Sequence, residues 1–157
     1  MRAVEFERIF DECLSDEDET GILRHSVMFV VFGELKDTDS QKAIKKYERL
    51  IRHCALKARQ KKGIIKPISG DIRLNVNAIF KMPNTYSKER KQRCGILLER
   101  PHNDSVKIAK VIVDGLSPKK SAVCVHEGLY EDDKQIVSLK VSKAYGVTPK
   151  VEITALW

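Results

Sequence analysis

The chain has no long hydrophobic run. Its most apolar stretch covers residues 27–32, far short of the ~20 residues that a membrane-spanning helix needs. No apolar core follows a basic start, so no secretion signal is expected and the chain reads as cytoplasmic. Cysteine is sparse: Cys13, Cys54, Cys94 and Cys124, with no C-x-x-C pair. Free thiols are the expected state. Cys124 and His126 are metal-type side chains, but no second pair at suitable spacing accompanies them, which argues against a zinc site. There are no repeats and no low-complexity linker, so a second domain is not expected. The 157 residues, 42% of them hydrophobic, suffice for one core.

What the chain does have is unevenly placed charge. The net charge is +7. Residues 1–20 hold eight acids (Glu5, Glu7, Asp11, Glu12, Asp16, Glu17, Asp18 and Glu19) against two arginines, a net of −6. The remainder therefore carries +13. A basic body of this size fits a polyanion partner, most simply nucleic acid; a basic surface that only serves solubility is the alternative.

Hydrophobic periodicity gives the elements. Phe6, Ile9, Phe10, Cys13 and Leu14 recur at helical spacing, predicting an amphipathic helix that packs on the body or on a partner. Residues 27–32 read as a buried strand. Residues 37–40 offer N-caps for a helix to about residue 60, with Ile44, Tyr47, Ile51, Cys54 and Ala58 as its apolar stripe. Lys42, Lys45, Lys46, Arg49, Arg52, Lys57 and Arg59 occupy its other faces. Ile72, Leu74, Val76, Ala78 and Phe80 alternate with Arg73, Asn75, Asn77 and Ile79, the pattern of a half-buried strand. A basic loop or short helix over residues 82–91 follows. Asn103 or Asp104 caps a further helix, with Val106, Ala109, Ile112, Val113 and Leu116 facing the core and Pro118 as the stop. A short strand is expected at residues 122–125. Residues 135–143 and 151–155 alternate and read as a terminal hairpin. The sum is an α+β fold with a mixed sheet packed against two main helices. An acidic extension (residues 1–24) precedes a single domain (residues 25–157).

Two acidic features stand out in the second half: Asp104 at a helix start and Glu131-Asp132-Asp133 before a strand. Clustered carboxylates at element ends can hold Mg²⁺ beside a phosphodiester, and a basic body would grip the backbone. On spacing alone the same residues also read as a helix cap and a solvated turn.

The segment from Gly128 through Leu129, Tyr130, Glu131, Asp132, Asp133, Gln135 and Ile136 to Val137 resembles the signature of RusA-family Holliday-junction endonucleases around their last catalytic aspartate. Lys110, Asp114 and Leu116 resemble that family's central helix. Phe80 to Pro83, then Ser87-Lys88, resembles its strand exit and basic segment, and Tyr47 to Ala58 its first helix. The likeness runs over residues 26–155. It implies a RusA-like fold and a homodimer that resolves branched DNA with Mg²⁺, or Mn²⁺. Such resolvases are often phage or prophage encoded. Asp104, Asp133 and Lys110 would be catalytic, and Asp104, Asp132 and Asp133 metal ligands. Lys42, Lys45, Lys46, Arg49, Lys88, Arg90, Lys91, Arg100 and Lys143 would face DNA.

Three departures weigh against cleavage. The family motif Pro-Asp-x-Asp-Asn reads Pro101-His102-Asn103-Asp104-Ser105 here. Anchored on the proline, His102 replaces the first aspartate; anchored on Lys110, Val106 replaces the second. One carboxylate is lost either way, and His102 as an extra ligand would suit Mn²⁺ better than Mg²⁺. The family's arginine-rich loop is replaced by the short acidic segment Gly33 to Asp39. The acidic extension is an addition to the family plan. The second expectation is therefore a RusA-fold protein that binds DNA, or a protein partner through residues 1–24, without cutting.

Overall fold

The structure, a computed structural model, describes residues 25–35, 40–95, 101–120, 123 and 125–157. The helix expected in residues 1–24 and the side chain of Arg100 lie outside that set, as do Asp37, Thr38 and Asp39 among the candidate caps.

Four strands form one mixed sheet: β1 (Ser26–Phe32), β2 (Ile72–Lys81), β5 (Ile136–Gly146) and β6 (Lys150–Leu156), in spatial order β1-β6-β2-β5. β6 is antiparallel to both β1 and β2, whereas β5 runs parallel to β2. Helices α1 (Gln41–Lys61) and α3 (Ser105–Leu116) cross each other on one face; α1 contacts β1 and α3 contacts β5. A short α2 (Lys88–Gly95) packs on β5. β3 (Lys119–Lys120) and β4 (Val125–His126) make a separate small ribbon. It covers part of the expected strand at residues 122–125. The α+β architecture with two main helices is as the sequence predicts.

β2 shows why its pattern was readable. Ile72, Leu74, Val76, Ala78 and Phe80 are buried toward the helices, while Arg73, Asn75 and Lys81 face solvent. Each large aliphatic side chain so placed contributes about 1.5–3 kcal/mol. Ser40 caps α1 by accepting from the Ala43 N–H. The crossing of α1 and α3 is close: a Cβ on Gly115 would stand 2.8 Å from the Cβ of Ile51. None of the helices among the described residues is long and apolar enough to cross a membrane.

Three expectations change. The terminal hairpin does not form, because β2 lies between β5 and β6. The link from Gly146 to Lys150 passes over the exit of β2, where Lys81 pairs with Gly146 and Ile79 with Lys150. Periodicity finds strands but not their neighbours, and two spacings of about 4.8 Å are within reach of a three-residue link. Val106 does not face the core; it is 77% exposed, and Ile108, Val111, Ile112 and Leu116 carry the buried stripe. Arg52 and Arg59 are buried rather than on the solvent face of α1.

Candidate nucleic-acid interface and carboxylate sites

Asp104 is the N-cap of α3. Its carboxylate accepts from Val106 N at 2.9 Å and from Lys107 N at 3.4 Å, satisfying two donors that the first helical turn leaves open. The carboxylate stays exposed, as does His102. Lys143, on β5, donates to the carbonyl of Asn103 at 2.7 Å. That contact ties the start of α3 to the far half of β5.

Asp132 and Asp133 sit on a single 3₁₀ turn (Asp133–Gln135) that leads into β5. Asp132 accepts from Lys134 N at 2.9 Å. Gln135 accepts from Glu131 N and Asp132 N, both at 2.8 Å, and donates to the carbonyls of Ile68 and Gly70, both at 2.9 Å. The turn is thus held at both ends, and Gln135 is the residue that holds it. Strand alternation assigns Gln135 no role, although Asp-x-x-Gln has the spacing of a capping box. The Lys134 N–H, and then a hydrogen bond with Asp133, keep the Asp132 carboxyl below its ordinary range. Both carboxyls are exposed and next to each other.

The two carboxylate sites lie at opposite ends of α3. Tyr130, two residues before Asp132, donates to the Val113 carbonyl at 3.1 Å and meets the Ser117 hydroxyl at 3.1 Å. The 12-residue helix rises ~1.5 Å per residue, or ~18 Å in all. Asp104 marks one end and Asp132-Asp133 the other. Among the described residues, no three His, Cys, Asp or Glu side chains come together to hold a metal ion. Asp114, noted in the sequence only as part of a helix motif, belongs to the second end. Burial pushes the Tyr130 phenol up to about 12, and Asp133, Asp114 and Asp132 push in the same direction.

The cationic candidates divide into two groups. On α1, Lys42, Lys45, Lys46 and Arg49 are exposed as expected. Lys45 also reaches Glu48 at 3.4 Å. Lys45, Lys107 and Lys110 border a groove of about 310 Å³ between α1 and α3, lined by Ile44, Ile108 and Val111. Lys110 is therefore midway along α3 rather than beside either carboxylate site. On α2, Lys88 and Lys91 are exposed, and Arg90 lies 3.6 Å from the centroid of the Tyr86 ring. The Tyr86 hydroxyl meets that of Tyr145 at 3.2 Å.

Arg52 and Arg59 have another job. Arg52 donates to the carbonyls of Asp114 and Ser117 at 3.0 and 3.1 Å, closing the C-terminal end of α3. Arg59 donates to Gly128 O at 3.0 Å, Ile65 O at 2.8 Å and Glu127 at 3.3 Å. Both guanidinium groups staple the loops around the Asp132-Asp133 turn to α1. No periodicity signals this, because arginine is read as a surface residue by default.

Known proteins resemble this chain in sequence over most of its length. A Bacillus subtilis (strain 168) protein, "Uncharacterized protein YqaN", is 29% identical over 119 residues, which covers 76% of this chain and 75% of that one. The family described as "Endodeoxyribonuclease RusA" matches residues 32–155, a span that contains both carboxylate sites, α1 and α3. This chain belongs to the RusA family of endodeoxyribonucleases.

Proposed function

We propose that the chain is a Mg²⁺-dependent, structure-specific endodeoxyribonuclease that resolves Holliday junctions or other branched DNA in recombination and repair. The observation that carries this reading is the family match over residues 32–155, with the adjacent carboxylates of Asp132 and Asp133, on a turn pinned by Gln135, inside it. Exposed lysines and arginines on α1 and α2 would take the phosphate backbone, each contact adding salt-dependent affinity.

Within one chain the residues do not fit a three-carboxylate metal site, since Asp104 is a helix length away from Asp132 and Asp133. A homodimer supplies a route to one. Among the described residues β5 is an edge strand, with Val137 and Leu139 exposed. Antiparallel pairing of two copies along β5 would set the start of one strand beside the end of the other. Lys143 holds Asn103, and so Asp104, near that end. Asp132 and Asp133 of one copy and Asp104 of the other would then border one cleft. Three hard oxygen donors suit Mg²⁺, and Mn²⁺ if His102 joins them. The metal's contribution would be to activate water and to neutralise charge on the scissile phosphate. Lys110 would contact phosphate from the α1–α3 groove.

The second reading, junction binding without cleavage and a protein partner for residues 1–24, is favoured by the same separation and by the exposed Val106. One assay decides. A synthetic four-way junction is incubated with excess protein in Mg²⁺ and in Mn²⁺. Nicking that disappears in Asp133→Asn, with binding retained, supports the nuclease. Binding with no nicking in either metal replaces it with the second reading.

A further inference from the structure

We propose that the acidic segment at residues 1–20 docks, within the same chain, into the groove between α1 and α3. The groove offers what that segment's sequence asks for. Its floor is apolar (Ile44, Ile108, Val111), and Lys45, Lys107 and Lys110 stand around it. Lys42, Lys46 and Arg49 extend the positive field along α1. The acids within the groove do not cancel this. Glu48 is nearly buried and paired with Lys45, and Asp114 is at one border. Against this stands a segment with a net charge of −6 and an apolar stripe of Phe6, Ile9, Phe10, Cys13 and Leu14. An amphipathic acidic helix presents an apolar row to such a floor and carboxylates to such a rim.

Chain length permits the contact. The first described residue is His25, at the start of β1. β1 carries the backbone about 20 Å toward the groove's end, where Leu35 joins its lining. Residues 15–24, if extended, span up to about 33 Å in the return direction. The apolar stripe can therefore reach the floor from its own chain. The docked segment would cover Lys45, Lys107 and Lys110, surfaces that the proposed nuclease would present to phosphate. It would act as an internal competitor for polyanions, and displacing it would expose the groove.

The test uses the full chain and no DNA, so its failure leaves the nuclease reading untouched. A carbodiimide couples carboxylates to amines in contact, and peptide mass spectrometry locates the bonds. Mixing light and isotope-labelled chains separates bonds within a chain from those between copies. The expected result is coupling of acids in residues 5–19 to Lys45, Lys107 or Lys110 within one chain. Its yield should fall about fivefold in ~0.5 M NaCl, where charges are screened beyond a few ångströms. K107Q/K110Q should reduce coupling at Lys45 as well. Coupling mainly to other lysines, coupling only between copies, or none at low salt would overturn the proposal.

Discussion

The two ends of α3 are built on different principles. At its C-terminal end the carbonyls of Val113, Asp114, Leu116 and Ser117 all have partners. Tyr130 and Ser117 serve Val113, Arg52 serves Asp114 and Ser117, and Leu129 N serves Leu116 at 2.8 Å. At its N-terminal end one exposed side chain, Asp104, does the capping, and Val106 lies open to solvent beside it. The first end is fixed from several directions. The second is cheap to alter. On the nuclease reading both ends would be needed, and the departures from the family motif fall at the N-terminal one, around His102 and Val106.

The largest effect expected on this contrast comes from Arg59→Ala. It strips the Gly128 and Ile65 carbonyls of a charged donor and should cost on the order of 3 kcal/mol. Urea unfolding measures it. A loss below ~1 kcal/mol would mean that the C-terminal end is not held as described. Alkali should act next. Tyr130 has its proton held up to about 12, against ~10 in the unfolded chain. Its contribution is full below pH 10 and is lost as pH rises through 10 toward 12, on the order of 2–3 kcal/mol. Unfolding midpoints at pH 9 and 11.5 should differ less in Tyr130→Phe than in the parent. Tyr47, also raised by burial, sets the common background.

Smaller effects are expected at the other end. Asp104→Ala should cost ~1 kcal/mol through the lost cap, whereas Asp104→Asn should cost only a few tenths because asparagine caps as well. If cleavage needs the charge, nicking falls in both; nicking retained in Asp104→Asn would limit Asp104 to capping. Val106→Asp is the mildest change. It places an acid in a first turn that has none and should stabilise by ~0.3–1 kcal/mol. On the nuclease reading it restores a family carboxylate, and Mg²⁺-dependent nicking should rise. A destabilised Val106→Asp would show that the end is less tolerant than its exposure suggests.

Much of this was legible in the residues. The alternation of β2 survives because one face is buried and the other wet. The caps of α1 and α3 are readable because Ser40 and Asp104 satisfy donors only their own neighbours can offer. Strand neighbours were not legible, since alternation is the same for a hairpin and for two strands flanking a third. Buried arginines were missed for a similar reason. Nothing in the spacing of Arg52 and Arg59 distinguishes a staple for distant carbonyls from a charge in solvent. The separation of Asp104 from Asp133 was hidden too, because distance along a chain does not say which end of a helix a later turn returns to.

The placement of β6 has a consequence for how the molecule comes into being. Among the described residues β1 pairs only with β6, and Ser26 meets Leu156 in register. A strand completed early in synthesis has α1 to pack on but waits for residues 150–156 before it has a strand partner. Pairing across such a sequence interval is intrinsically slow. Until then the apolar row Val27, Phe29 and Val31 has no sheet to join, and a nascent chain must keep it out of trouble on the ribosome.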